Sequence, residues 1–229
     1  MNVRIRFSKT GALVYIGHLD VMRYFQKLLK RAGIDVAYSE GFSPHQLLSF
    51  TPPLPLGMES FGEYADVRLT GSVSSHEALS RLKAQSVPEI DIMSFKMLPE
   101  GAENAMAAVR SAEYEVRLPD NMTKATAAAI EDFMGRECVN VIKKTKKSEK
   151  EVNIRPLVHS LTFDEIKGSI NMVISSGSTD NLKPELVLSA LFGRDMDRAG
   201  LIGTDIKRID QYTLRDDRFV SLDGIGTII

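Results

Sequence analysis

Three clusters hold the side chains best suited to chemistry. The first is Gly17-His18-Leu19-Asp20-Val21-Met22-Arg23. His18 and Asp20 open an expected helix, where a carboxylate is favoured and a charged imidazole is not. Arg23 and Lys27 follow Asp20 at i+3 and i+7, with Lys30 and Arg31 beyond. That stripe reads as a basic face for an anionic ligand, or as a solvated helix face with a local Asp20–Arg23 pair. The second cluster is Tyr38-Ser39-Glu40-Gly41-Phe42-Ser43-Pro44-His45. In one reading His45 handles a proton or a phosphate and Phe42 stacks on a base. In the other, Phe42 plugs the core and His45 caps a turn. The third cluster is Lys143, Lys144, Lys146, Lys147 and Lys150, broken only by Glu149 in its charge pattern. Such a run suits phosphate contacts, or is simply a solvated lysine-rich turn. Arg155, before Pro156, is expected to end a strand in a turn, which makes its guanidinium a candidate ligand contact.

From these come two candidate sets. His18, Asp20 and His45 are the acid/base candidates, on condition that they meet in one cleft. Arg6, Lys9, Arg23, Arg31 and Arg155 are the anion contacts, with His18, Phe42 and His45 shaping the ligand. The four histidines are scattered singly, and the zinc-protease, P-loop and nucleophile-elbow motifs are absent, so no metal or cofactor is expected. The single cysteine, Cys138, excludes a disulfide framework and a self-contained iron–sulfur cluster. Net charge is −1, which excludes a uniformly polycationic body. The balance is uneven, however: residues 1–60 hold seven Lys/Arg against four Asp/Glu, and residues 143–150 hold five Lys against one Glu. Lacking a long apolar run or a signal-like N-terminus, the chain is expected in the cytoplasm, without a membrane partner.

Hydrophobic spacing supplies the elements that position these residues. Val3, Ile5 and Phe7 alternate with Arg4 and Arg6, which predicts a half-buried strand with a cationic outer face. A helix is predicted over 18–32, ended by Gly33. Strands are predicted at 34–38, 62–70 and 89–97, with a helix at 74–84. Residues 39–57, with four prolines, read as irregular, with a short strand around 47–51 as the one expected interruption. After a linker near 99–108 the pattern repeats: strand 114–118, helix 123–134, strand 139–144, strand 170–174, helix 183–192 and strand 204–214. A basic hairpin is inserted near 146–165. The expectation is an α+β protein of two tandem ferredoxin-like (βαββαβ) halves with antiparallel sheets, 1–100 and 110–229.

Several runs also resemble a known family. They are Arg6-Phe7-Ser8-Lys9-Thr10-Gly11, His18-Leu19-Asp20, Arg31-Ala32-Gly33, Tyr38 to His45, Pro53 to Gly57, Lys146 to Pro156 and Leu182 to Leu188. Together they are similar to the bacterial radical-SAM-linked domain of unknown function. The resemblance implies an accessory or C-terminal part of a radical-SAM system. With only Cys138, this chain lacks the three-cysteine motif, so the radical chemistry would belong to a separate partner protein. The expected function is accessory substrate recognition with RNA as a candidate ligand, more a binding module than an enzyme. The alternatives are an RNA-processing or RNA-modifying enzyme using His18, Asp20 and His45, and a protein-interaction module with no ligand.

Overall fold

A computed structural model describes residues 1–123, 126–144, 149–177, 179–193 and 204–229. The elements run β1 (Asn2–Lys9), α1 (His18–Arg31), β2 (Leu48–Phe50), β3 (Glu59–Arg68), α2 (Ser75–Gln85), β4 (Ile92–Met97), α3 (Ala105–Ala108) and β5 (Ser111–Arg117). They continue with α4 (Asp120–Thr123), α5 (Thr126–Gly135), β6 (Asn140–Lys144), β7 (Glu149–Asn153), β8 (Val158–Asp164), β9 (Ser169–Ser175), α6 (Pro184–Phe192), β10 (Asp205–Arg215) and β11 (Arg218–Ser221). The fold is mixed α+β with mostly antiparallel pairing. Two compact units form, one from Met1–Arg110 with Asp210–Ile229, the other from Ser111–Ile209.

In the first unit β1 lies between β3 and β4, antiparallel to both, and β2 and β10 also pair with β3. Register puts Val3, Ile5 and Phe7 opposite Val67, Ala65 and Glu63, so these share one face. Helices α1 and α2 cover that face: Val21, Phe25, Leu28 and Leu29 meet Ala78 and Leu82 over the strands. Phe25 is fully buried, its ring 4.5 Å from Phe7 and 5.4 Å from Phe50. Helix α1 ends as its sequence predicts. Gly33 takes φ 64°, its N–H donates to Lys30, and the Ile34 N–H donates to Leu29, a pairing that a left-handed glycine permits. Asp20 in the first turn and Lys30 and Arg31 in the last suit the helix dipole.

Several sequence expectations change here. Strand β1 has no solvent-facing cationic side. Arg4 is 2% exposed, with Nε and Nη2 donating to Asp66 at 2.7 and 2.8 Å and Nη1 to the Leu222 carbonyl at 3.5 Å. Both faces of β1 are covered, so alternation of residue type did not mean alternation of exposure. No strand forms over 34–38. Val36 bridges Leu69 and Tyr38 bridges Gln46, and two single bridges to different partners make no ladder. The alanine-rich linker contains α3, capped by the Asn104 side chain accepting from the Ala107 N–H. The helix predicted over 123–134 comprises α4 and α5.

In the second unit β9 lies between β5 and β8, antiparallel to both. Ile170, Met172 and Ile174 are fully buried on it. Pro184 opens α6, where its missing N–H costs little, and Gly193 at φ 61° ends it. Strands β6 and β7 form a separate two-stranded ribbon. Among the described residues, no helix is long and apolar enough to cross a membrane.

Candidate functional site

The most chemically loaded corner of the first unit is a cavity of about 20 Å³, lined in part by Lys9, His18, Phe50, Thr51, Leu54 and Glu63. Elements of different parentage deliver these groups. Lys9 ends β1 after a shift in register, His18 is the first residue of α1, and Glu63 follows the inward parity of Ala65 and Val67. Lys9 and Glu63 are 3% and 6% exposed. The Lys9 ammonium donates to the carbonyls of Val14 at 3.4 Å and Ile16 at 2.9 Å. Glu63 accepts from the Ser60 hydroxyl at 2.6 Å. The His18 ring meets the Phe50 ring edge-on at 5.7 Å. Burial lowers the His18 pKa and Lys9 lowers it further, against an opposing pull from Glu63, so His18 stays neutral near pH 7.

The opposite face of the same sheet carries paired charges. The Tyr64 hydroxyl donates to Asp210, and the Ser221 hydroxyl also donates to Asp210 at 2.8 Å. Burial, then the Asp210 charge and hydrogen bond, push the Tyr64 hydroxyl well above its usual range. Arg6 sits 3.7 Å from Asp210 and donates to the Phe61 carbonyl at 3.2 Å. Lys96 donates to Asp223 at 2.6 Å, beside a Ser94 hydroxyl that bonds the same carboxylate. Burial raises the Asp223 pKa, but Lys96 and Ser94 outweigh it and leave the net shift downward. Asp66 shifts upward, because burial outweighs Arg4.

The acid/base candidates have separate surroundings. Asp20 is exposed and accepts from Arg23 at 3.2 Å. His45 closes its own loop: Ser39 Oγ lies 2.8 Å from His45 Nδ1, and the His45 N–H donates to Ser39 Oγ at 3.1 Å. It does not line the His18 cavity. Phe42, at the tip of that loop, projects fully into solvent and plugs no core. Arg31 donates to the Gln85 carbonyl and packs over Tyr24, tying α1 to the end of α2.

In the second unit Arg155 donates to the carbonyls of Met134 and Val158, which fastens the turn after β7 to the end of α5. On the ribbon, Lys143 stands directly opposite Lys150, and Lys144 opposite Glu149. Lys143 also donates to the Asn181 carbonyl at 3.1 Å. Lys146 and Lys147 lie outside the described residues. Sequence reasoning missed Glu63, Thr51, Tyr64, Asp66, Asp210 and Asp223. An acidic residue at an inward position of an apolar strand was the available signal for Glu63.

The architecture defines an α+β chain of two units, one with charge pairs on its sheet, the Arg4–Asp66 pair among them buried, and one bearing a lysine ribbon. Over residues 2–184 it matches the family described as uncharacterised proteins conserved in bacteria (DUF2344), and it belongs to that family. None of the curated proteins matches the chain.

Proposed function

We propose that this chain is an accessory substrate-recognition module that binds RNA and works with a separate radical-SAM enzyme in the cytoplasm. The observation that carries the RNA reading is the ribbon. Like charges directly opposite on paired strands repel, and Lys143 and Lys150 occupy such positions. A phosphate backbone relieves that repulsion and releases counterions as it binds. The exposed Phe42, on a loop braced by Ser39 and His45, adds a face on which a base can stack. The partner rests on the resemblance of the quoted runs, together with a lone cysteine that leaves the cluster chemistry to another chain. The order β4–β1–β3–β2 in the first unit, and β5–β9–β8 with α5 and α6 in the second, support a ferredoxin-like reading of each half. An enzyme built on His18, Asp20 and His45 has less support, since Asp20 pairs with Arg23 and His45 with Ser39.

Filter binding of bulk RNA to the full chain at two salt concentrations tests the proposal. The expected result is binding at low salt that weakens at high salt, and a marked loss in Lys143→Glu/Lys150→Glu. Absence of binding by the wild type at low salt, or equal binding by the double variant, overturns the ribbon as the RNA contact.

A further inference from the structure

We infer that a second cavity of the first unit, beside Arg68, binds a small amphiphilic anion: one carboxylate or phosphate head on an apolar body, with Arg68 as the contact for the head. The cavity has a volume of about 310 Å³. That is room for roughly ten water-sized groups, at the lower end of the range of ordinary small-molecule sites.

Strand register builds the floor. Asn2 stands opposite Arg68, and Ser49 opposite Asp66. Asp66 and Arg68 are two positions apart on β3, so these four side chains share one face of the sheet. Val67, between them, belongs to the core under α1 and α2, so the cavity lies on the face turned away from those helices. The segment 98–104 supplies the wall through Leu98, Ala102 and Asn104.

The wall is fastened to the floor before anything binds. Arg4, already paired with Asp66, also donates from Nη2 to the Glu103 carbonyl at 3.2 Å. The Ala105 N–H bonds Asp66 as well, and the Leu98 N–H donates to the Asn2 carbonyl at 2.9 Å. A buried ion pair is weak evidence for stability by itself. Here the pair joins the segment that forms the wall to the strands that form the floor, which fixes the shape of the space between them.

Charge then selects the ligand. Asp66 and Arg68 are the two ionisable side chains that line the cavity, and Arg4 neutralises Asp66. The Glu103 carboxylate, on the wall segment, is held by Arg110 at 3.1 Å. Arg68 is the charge left over. Among the described residues its side chain has one hydrogen-bond partner, the Asn2 side-chain oxygen 3.4 Å from Nε. Both terminal guanidinium nitrogens therefore remain for a bidentate oxyanion. The backbone beneath them is pinned on both sides: the Arg68 N–H donates to Leu47 at 3.0 Å, and its carbonyl accepts from Ala37 at 2.8 Å. Asn104 has its side-chain oxygen engaged by the Ala107 N–H, so its amide nitrogen is a further donor beside the cavity. Leu47, Leu98 and Ala102 line the same space and offer only carbon to an apolar body. A cation would be repelled by Arg68 and find Asp66 occupied. A bare inorganic anion would leave the apolar wall unused.

Equilibrium dialysis of the full chain against octanoate and, separately, phenyl phosphate tests the site, with acetate and 1-octanol as controls for the body and the head. Expected are saturable binding of at least one of the two amphiphilic anions, and affinities at least about tenfold lower for acetate and for 1-octanol. The ratio of octanoate to phenyl phosphate affinity distinguishes a carboxylate head from a phosphate one. Arg68→Met should weaken binding about tenfold, and Arg68→Lys, which keeps the charge and loses the fork, by less. Ala102→Leu, which fills the cavity and leaves Arg68 in place, should abolish binding. No saturable binding of either anion overturns the inference, as does equal binding of 1-octanol. Wild-type affinity in Arg68→Met or in Ala102→Leu overturns it too. The inference does not rest on the RNA reading, and no RNA is present in the experiment, so its failure and that of the ribbon are separate results.

Discussion

The cations of the first unit and those of the ribbon are alike in sequence and opposite in circumstance. Arg4, Arg6 and Lys96 lie on the first sheet, and each faces a carboxylate: Asp66, Asp210 and Asp223. Lys143 and Lys150 face one another. In the first case charge is used up in holding the unit together. In the second, among the described residues, the register sets ammonium against ammonium, which is the condition for attracting an anionic partner. A tally of Lys and Arg along a chain does not distinguish these cases, because the distinction lies in which residues the fold brings opposite each cation.

Breaking a buried pair should produce the largest effect. Arg4→Met leaves Asp66 buried without its guanidinium and is expected to cost about 3–5 kcal/mol in urea unfolding. Arg4→Met/Asp66→Leu should recover part of that loss, because it removes the stranded charge as well. A single-variant loss within experimental error would erase the contrast. Tyr64→Phe removes a donor from Asp210 and should cost about 1–3 kcal/mol, measured the same way.

The half-exposed pair comes next. Asp223→Asn should cost on the order of 1 kcal/mol at neutral pH, and the loss should depend on acid. Because the Asp223 carboxyl is held below its ordinary value of 3.8, its contribution is full above that value and disappears as pH falls through the lowered one. Thermal melting from pH 6 downward, taken at about one-unit steps, should therefore fall less steeply in the variant than in the wild type.

Both units share a smaller effect. His18 and His159 are each lowered from 6.5, with burial the first cause in both. A lowered histidine resists protonation in the folded state, so stability declines as pH drops below 6.5 and is restored above it. His159→Gln should flatten that slope in a melting series, and His18→Gln should do so independently. The smallest change in stability belongs to the ribbon. Lys143→Ala and Lys150→Ala should each shift unfolding by no more than about 0.5 kcal/mol. Each should lower the salt slope of RNA binding by about 0.7 if the bound strand is single.

Much of the architecture was legible because it depends on local periodicity. Strand β1, helices α1, α2 and α6, and strands β4, β5, β9 and β10 fall close to their expected positions. Gly33 and Pro184 mark helix ends for reasons that act within a few residues. Other features were harder to read. Strand β3 is buried on both faces from Gly62 through Val67, so the exposure contrast that reveals a face is missing, and Tyr64 and Val67 point to opposite sides. Helix α3 has four residues, too few to display a period. The loop around Phe42 was readable as a loop, while the bracing of His45 by Ser39 depended on how the chain returns at Gln46.

The candidate sites divide in the same way. Order along the chain is enough to establish a lysine run, a lone cysteine, a histidine at a helix start and an aromatic in a glycine-containing loop. Those are properties of neighbours along the chain. Folding in three dimensions pairs Arg4 with Asp66 and Arg6 with Asp210, gives Asp20 and His45 their own local partners, and brings Lys9 and Glu63 to the cavity that His18 lines. Pairing between strands sets these meetings, and one such partner of Arg6 lies more than two hundred residues away at Asp210. The electrostatic role of a side chain depends on the charges and the solvent around it, and those are fixed by contacts that chain order leaves open.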